Sequence, residues 1–135
     1  MSAANLELVR QAYEAWNRGD LDSAFGFLDP EVEVSTPPEL PEAGTFRGRD
    51  ETRRFIEDAL KSWEEIGAEP QSFVEAGDKV LVTVRYFGRG KGSGAAVRGA
   101  VVDAHVWTLR NGRAVRLEMY QGTEAAFESV GLTAP

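Results

Sequence analysis

The hydrophobic period of this chain changes near its middle, and that change restricts the folds open to it. In the first half, apolar residues recur every three or four positions, as in Leu6, Val9 and Tyr13, which is typical of one buried helix face. After Pro70, apolar and polar residues alternate, which is typical of half-buried strands. Helices followed by a run of strands predict an α+β protein whose helices gather on one face of a curved antiparallel sheet.

Turn and cap residues divide the two halves into elements. Gly19 predicts the end of a first helix, and Asp20 can cap a second. Asp50 can cap a third helix, which we expect to run to Gly67. The other predicted elements are a strand containing Val32 and Val34, a loop over residues 36–48, strands over 73–76, 80–87, 97–109 and 114–121, and a closing helix over 123–130.

Composition and charge limit what the protein could bind. The 135 residues are 42% hydrophobic and 27% charged, as in an ordinary globular protein, so we expect one domain over residues 1–135. A net charge of −7 argues against nucleic acid or an anionic membrane as a partner. The absence of cysteine excludes disulfides and thiolate metal sites. We expect neither a signal peptide nor a membrane span, and therefore a cytoplasmic protein.

A hairpin near the C-terminus carries the most informative residues. Asn111 and Gly112 lie between two alternating runs and predict a two-residue turn, because both turn positions need positive φ. In that register His105 lies opposite Glu118, and strand alternation puts both on one face. We predict that this polar and aromatic face contains Asp103, His105, Trp107, Glu118 and Tyr120, and that the apolar face contains Ala104, Val106, Leu117 and Met119.

Periodicity alone leaves two interpretations of this hairpin open. In the first, the polar face lines an internal cavity, and helices or a second subunit cover the apolar face. In the second, the apolar face packs on the core helices, and the charged residues lie at a solvated or subunit surface. The first interpretation suits proton transfer, because the unperturbed pKa of histidine, about 6.5, lies close to neutral pH.

Three segments carry a resemblance to a known family: NLELVRQAYEAWNRGDLDSAFGFLDPEVEV, FRGRDETRRFIEDAL and HVWTLRNGRAVRLEMY. They resemble the first two helices and first strand, the third helix, and the final hairpin of the SnoaL-like family. That family belongs to the nuclear-transport-factor-like superfamily, which also contains ketosteroid isomerase. The resemblance implies a cystatin-like cone, with three N-terminal helices packed on a strongly curved antiparallel sheet and a short C-terminal helix. It also implies a homodimer.

The resemblance implies roles for individual residues. In ketosteroid isomerase, a carboxylic acid before the last turn hydrogen-bonds the substrate oxygen. That position falls on His105 if the turn here is one residue shorter, and on Ala104 otherwise. SnoaL-type polyketide cyclases place a histidine on the penultimate strand and an acid or base carboxylate on the last, which Glu118 would supply. The general base and the oxyanion tyrosine of the isomerase would fall on Thr36 and Ala12, which cannot take those roles.

The candidate site residues also include aromatic residues and one arginine outside this hairpin. The helix aromatics could instead belong to the core, and Arg85 could instead lie at the surface. We predict His105, Glu118 and Asp103 as catalytic residues, and Tyr13, Trp16, Trp63, Arg85, Trp107 and Tyr120 as substrate-binding residues.

Other motifs add no further site. The segment GRGKGSG at residues 88–94 lies between strands, so we predict a hairpin connector and not a phosphate loop. The proline-rich loop over residues 36–48 is a candidate lid. Asp103, His105 and Glu118 include the residue types of a zinc site, but adjacent strands would crowd them and no second histidine exists. No metal or organic cofactor is therefore predicted.

These observations lead to one functional hypothesis and two alternatives. The hypothesis is a SnoaL-like protein that binds a small apolar organic molecule in a cone-shaped pocket and catalyses proton transfer next to a carbonyl, as an isomerase or polyketide cyclase does. The first alternative is a non-catalytic binding or carrier protein of the same fold. The second is a structural dimerisation module whose pocket is filled by side chains.

Overall fold

Four helices and seven strands form the part of the chain that the structure describes. This computed structural model describes residues 2–37, 44–61, 63–90, 96–98 and 102–135. The helices are α1 (Ser2–Asn17), α2 (Leu21–Gly26), α3 (Arg49–Leu60) and α4 (Glu124–Ser129). The strands are β1 (Leu28–Ser35), β2 (Thr45–Arg47), β3 (Trp63–Ala76), β4 (Lys79–Gly90), β5 (Ala96–Arg98), β6 (Asp103–Arg110) and β7 (Arg113–Tyr120).

The strands form one curved sheet in the order β2-β1-β7-β6-β4-β3, and β5 pairs with β4. The predicted α+β class is confirmed, but the sheet is mixed because β1 runs parallel to β7. Helices α1, α2 and α3 contact one side of the sheet, and α4 contacts β6 from the other. Within the described residues, no helix has both the length and the apolar character needed to cross a membrane.

Alternate side chains along the strands pack into two separate hydrophobic cores, one on each side of the sheet. On β4, Val82 and Val84 pack with residues of the first three helices, whereas Leu81 packs with Phe127 of α4. The inner core, between the sheet and α1 to α3, contains the larger share of the buried side chains. Both sides of the central strands are therefore buried, and a side chain's position along the strand decides which core it enters.

Several local predictions are confirmed. Gly19 has a φ of 82° and directly follows the last turn of α1. The carboxylate of Asp20 caps α2 by accepting a hydrogen bond from the backbone N–H of Ser23 at 3.2 Å. Asn111 and Gly112 have φ values of 52° and 77° and form the turn between β6 and β7.

The prediction for the third helix is wrong at both ends. Its N-cap position is Gly48, and Asp50 lies within the first turn. The helix ends at Leu60, and the residues from Trp63 onward belong to β3, because their backbone pairs with β4. Pro70 lies within β3, which is tolerated since β3 is at the edge of the sheet and its pairing shifts register after that residue. Strand pairing outweighs the helical period here.

Three other predicted segments divide differently from the prediction. Part of the loop predicted over residues 36–48 is β2, which pairs with β1. Residues 38–43, which carry most of the candidate lid, lie outside the described residues. The strand predicted over 97–109 comprises β5 and β6, with 99–101 outside the described residues, and β4 continues through residues 88–90 of the glycine-rich segment, with 91–94 outside them.

The hairpin of β6 and β7 contains a β-bulge that the sequence analysis did not predict. Next to the turn, Leu109 pairs with Ala114 as expected. The next pair is Thr108 with Arg116, so Val115 has no partner of its own. One extra residue on β7 therefore shifts every later pair by one position.

The bulge reverses which side chains of β7 face the helices. His105 lies opposite Met119, and not opposite Glu118, while Leu117 and Met119 pack with the inner core. The register without a bulge would turn Arg116 and Glu118 into that core, where an unpaired charge costs several kcal/mol. One unpaired backbone position costs about 1 kcal/mol, so the bulge is the more stable arrangement. The polar and aromatic face of β6 therefore points toward the helices, as the first interpretation of the hairpin requires. The charged side chains of β7 point away from them, as the second requires.

Candidate functional site

The sheet and the first three helices enclose a cavity of about 280 Å³. Among the residues that line it, those with polar side-chain groups are Tyr13, Thr52, Tyr86, His105 and Trp107. The Thr52 hydroxyl donates to a backbone carbonyl of its own helix start at 2.9 Å, so it is already satisfied. The apolar walls include Trp16, Phe25, Phe55, Ile56, Leu117 and Met119.

Four of the cavity-lining side chains form a continuous hydrogen-bonded network, which we call the tyrosine–histidine network: Tyr13, Tyr86, His105 and Trp107. His105 lies at its centre, with Nδ1 2.5 Å from the Tyr13 hydroxyl oxygen and Nε2 2.5 Å from the Tyr86 hydroxyl oxygen. The indole Nε1–H of Trp107 donates to the Tyr13 oxygen at 2.9 Å. Both ring nitrogens of His105 therefore have hydrogen-bond partners within the protein, and the residue is only 6% exposed.

Three elements supply the network. Helix α1 presents Tyr13 on its apolar face, four residues after Val9. Strand β6 presents His105 and Trp107 on one face because they are two residues apart. Strand β4 presents Tyr86 from the adjacent position in the sheet. Tyr13 and His105 are 92 positions apart in the sequence, so the network forms only because α1 packs across the sheet.

Burial determines the charge states in this network. Removal from water disfavours the imidazolium form and lowers the pKa of His105 to about 4. Burial also raises the pKa of the Tyr13 hydroxyl well above its usual range. Burial raises the pKa of Tyr86 too, and the nearby charge of Asp103 adds to that effect. At neutral pH the three groups are therefore uncharged, and they act as hydrogen-bond donors and acceptors.

Asp103 lies beside the network and is not a member of it. Strand alternation puts Asp103 on the same face of β6 as His105, but it is not among the described residues that line the cavity. Its carboxylate accepts a hydrogen bond from the backbone N–H of Gly122 at 2.8 Å, which fixes the chain where it leaves β7. The influence of Asp103 on the site is electrostatic, through the raised pKa of Tyr86.

Glu118 and Tyr120 lie on the opposite side of the sheet from the cavity. The Glu118 carboxylate is 3.9 Å from the ammonium group of Lys79 and 3.9 Å from the guanidinium of Arg116. The Tyr120 hydroxyl donates to Glu118 at 3.4 Å. The predicted contact between His105 and Glu118 is therefore wrong, and so is the shared face of Asp103, His105 and Glu118, because the bulge turns Glu118 outward.

The remaining candidates have three different outcomes. Arg85 lies between Val84 and Tyr86, which face the inner core and the cavity, so its predicted position as a clamp inside the cavity is wrong. Trp16 lines the cavity and packs edge-to-face on Phe25, with ring centroids 6.5 Å apart. The side chain of Trp63 lies outside the described residues, and its backbone begins β3.

Sequence reasoning missed Tyr86 as a site residue, although a signal for it exists. Val80, Val82 and Val84 alternate along β4, and Tyr86 is the next residue of that series. An arginine and a tyrosine that are adjacent on a strand cannot share a face. The apolar series should therefore have selected Tyr86 for the cavity and left Arg85 outside.

Comparison with known proteins agrees with this architecture. The family described as the SnoaL-like domain matches residues 9–117. An NTF2-like protein of unknown function from Burkholderia pseudomallei is 28% identical, with a TM-score of 0.75 over 95% of this chain and 98% of that one. An NTF2-like protein from Burkholderia thailandensis is 27% identical, with a TM-score of 0.74 over 86% of this chain and 88% of that one.

A third structure, that of TerC crystallised with polyporic acid, is similar in fold. It is 24% identical, with a TM-score of 0.75 over 94% of this chain and 97% of that one. No curated protein matches the chain. The family match extends over most of the chain and includes Tyr13, Tyr86, His105 and Trp107. The chain therefore belongs to the SnoaL-like family of the NTF2-like superfamily, as its sequence resemblance implies.

Proposed function

We propose that this protein binds a small, mostly apolar organic molecule in the cavity, with Tyr86 and His105 at the polar end of the site. The observation that carries the proposal is an apolar cavity of about 280 Å³ with one cluster of convergent polar groups. Pockets of this kind bind ligands through apolar burial, and a few polar groups fix the orientation. Trp16 and Phe55 provide large apolar walls that suit a flat ring system.

Binding without chemistry is the form of this proposal that the site supports best. The pKa of His105, lowered to about 4 by burial, makes its neutral imidazole a weak base at neutral pH. No carboxylate is among the cavity-lining residues within the described part of the chain. Abstraction of a proton next to a carbonyl needs a base whose pKa is near the working pH, so we favour a binding or carrier protein.

Proton transfer next to a carbonyl is the second candidate function. The Tyr86 hydroxyl favours it, because a hydroxyl at the cavity surface could polarise a carbonyl oxygen. Incubating the protein with 1-indanone in deuterated water tests this candidate, since catalysis would exchange the hydrogens beside the carbonyl. Exchange above the buffer rate that is lost in Tyr86→Phe would favour an enzyme. Exchange at the buffer rate would favour a binder.

A cavity-filling variant tests the binding proposal directly. Ala12 lines the cavity from α1, and Ala12→Phe should occupy much of the free volume. Ala125 lies exposed on α4, so Ala125→Phe is the matched control for the same change in side chain. We expect calorimetric titration with indane to give one site per chain in the unaltered protein and in Ala125→Phe, and at least tenfold weaker binding in Ala12→Phe. Equal affinities in all three proteins would contradict binding in the cavity.

We also propose that the protein is a homodimer, and membership of the SnoaL-like family is what supports this. Light scattering during size-exclusion chromatography tests it. A mass of one 14.8 kDa chain at micromolar concentration would contradict the proposal.

A further inference from the structure

We infer that the tyrosine–histidine network is directional. Each group donates its hydrogen to the next one in the order Trp107, Tyr13, His105 and Tyr86, so the bound molecule must present a hydrogen-bond acceptor to Tyr86. Trp107 is the positioning residue that sets this direction. The inference rests on the proposed function for its ligand and identifies the ligand class as apolar molecules that carry a hydrogen-bond acceptor, of which a ketone serves as the test case.

Trp107 is the first donor of the network, and Tyr86 lies at the other end of it. An indole N–H donates hydrogen bonds and accepts none. Its nitrogen is 2.9 Å from the Tyr13 hydroxyl oxygen, so that oxygen is the acceptor in this bond. Trp107 is 8% exposed and Tyr13 is 5% exposed, so water does not compete for either group.

The next step follows from the single hydrogen of the Tyr13 hydroxyl. Its hydrogen-bonding contacts among the described residues are Trp107 and Nδ1 of His105. If Nδ1 carried the imidazole hydrogen, the Tyr13 oxygen would accept two bonds and its own hydrogen would lack an acceptor in a buried position. An unsatisfied buried donor is costly. The Tyr13 hydroxyl therefore donates to Nδ1, and every group is satisfied.

A neutral imidazole carries one hydrogen, so acceptance at Nδ1 places that hydrogen on Nε2. Nε2–H then donates to the Tyr86 oxygen, 2.5 Å away. The hydroxyl hydrogen of Tyr86 is left over, and within the described residues the hydroxyl contacts no hydrogen-bonding group besides His105. Tyr86 is one of the residues that line the cavity, and an acceptor on the bound molecule is the partner that the inference assigns to this hydrogen.

This arrangement distinguishes acceptors from donors. A carbonyl oxygen takes the Tyr86 hydrogen and completes the network. A molecule whose polar group only donates leaves that hydrogen unsatisfied while it displaces water from the cavity. The expected selectivity is about tenfold, the value of one hydrogen bond.

The tautomer of His105 tests the direction without any ligand. The chain has one histidine, so NMR of the protein with isotopically labelled histidine reports on this ring alone. We expect the hydrogen on Nε2 at neutral pH, identified by the couplings of each nitrogen to the ring hydrogens. A hydrogen on Nδ1, or an equal mixture of the two tautomers, would overturn the inference.

Two matched variants test the role of Trp107. Trp107→Phe removes the donor to Tyr13 and keeps an aromatic ring, so both directions become possible, and we expect a mixture of tautomers. Trp16→Phe makes the same change in a second cavity tryptophan that is outside the network, so the tautomer should stay on Nε2. An unchanged tautomer in Trp107→Phe would refute the assignment of Trp107 as the positioning residue.

Three probes of similar size test the ligand class by calorimetric titration. They are 1-indanone, which accepts a hydrogen bond, indole, which donates one, and indane, which does neither. We expect 1-indanone to bind about tenfold more tightly than indane, and indole no more tightly than indane. In Trp107→Phe the ratio should fall with the fraction of the tautomer that offers the hydrogen, to about fivefold for an equal mixture, whereas Trp16→Phe should weaken all three probes alike and keep the ratio.

The outcomes separate this inference from the proposed function. If indane binds and indole binds as tightly as 1-indanone, the inference is wrong and the binding function stands. If none of the three probes binds, the binding function is wrong and so is the assigned ligand class.

Discussion

Gly67 should tolerate no side chain, because the end of α1 approaches β3 closely at this position. The side chain of Asn17, the last residue of α1, makes two hydrogen bonds to the backbone of Ala68 in β3. Its side-chain oxygen accepts from the Ala68 N–H at 3.0 Å, and its side-chain N–H donates to the Ala68 carbonyl at 2.8 Å. A β-carbon on Gly67 would lie 2.8 Å from that oxygen and 2.2 Å from the ring of Phe87.

The magnitude of Gly67→Ala follows from these contacts. The Phe87 ring can swing away at a cost of about 1 kcal/mol. The side chain of Asn17 cannot move without losing two hydrogen bonds, each worth about 1 kcal/mol. Reduced freedom of the unfolded chain returns about 0.5 kcal/mol. We therefore expect the free energy of unfolding to fall by about 2 to 3 kcal/mol, with a melting temperature about 10 °C lower.

Urea unfolding followed by tryptophan fluorescence measures this change. Gly26→Ala is the control without a clash, since a β-carbon there would meet nothing within 4 Å, and it should raise the free energy of unfolding by about 0.5 kcal/mol. Asn17→Ala removes the hydrogen bonds to Ala68 without a clash, so Gly67→Ala should cost markedly less in that background. A loss below 0.5 kcal/mol for Gly67→Ala in the unaltered chain would refute the reasoning.

Three further changes test the site. Burial lowers the pKa of His105 to about 4 from 6.5, so between these values the unfolded chain binds a proton that the folded chain does not, and the free energy of unfolding falls by up to about 3 kcal/mol as the pH is lowered through this interval. In His105→Gln this part of the pH dependence should vanish, and identical pH slopes in the two proteins would contradict a buried neutral imidazole. Tyr86→Phe should weaken 1-indanone about tenfold and indane less than twofold, and equal losses for the two would show that the hydroxyl does not contact the ligand. Glu118→Gln should leave the affinity for both probes unchanged, because its carboxylate lies on the far side of the sheet from the cavity, and a tenfold loss would contradict the register of β7.

Part of the candidate site could be predicted from local pattern. Tyr13 lies on the apolar stripe of α1, and Trp107 lies two residues from His105, so simple periodicity groups these residues correctly. Tyr86 was within reach of the same rule, through the valine series of β4. The contacts among these residues could not be predicted, because they join segments that are 19 to 94 residues apart.

The ends of α3 show where local pattern fails. The apolar residues Phe55, Ala59 and Ile66 fit one helical face, yet Ile66 belongs to β3. Backbone pairing with β4 supplies hydrogen bonds that a helix of the same residues would have to replace. A local period carries no information about such a partner, so the predicted helix continues past Leu60 into residues that belong to β3.

The sequence by itself determined the class of fold, the hairpin turn and the apolar character of the interior. Each of these follows from interactions between residues close in sequence or from a simple period: the positive φ of Asn111 and Gly112, the caps, and the alternation of the strands. Only the tertiary structure decided the register beyond that turn. The interior beneath β7 accepts Leu117 and Met119 but not the charges of Arg116 and Glu118, and a bulge at Val115 costs less than burying those charges. In the same interior, His105 hydrogen-bonds to two tyrosines and not to Glu118, the carboxylate that the sequence predicts as its partner.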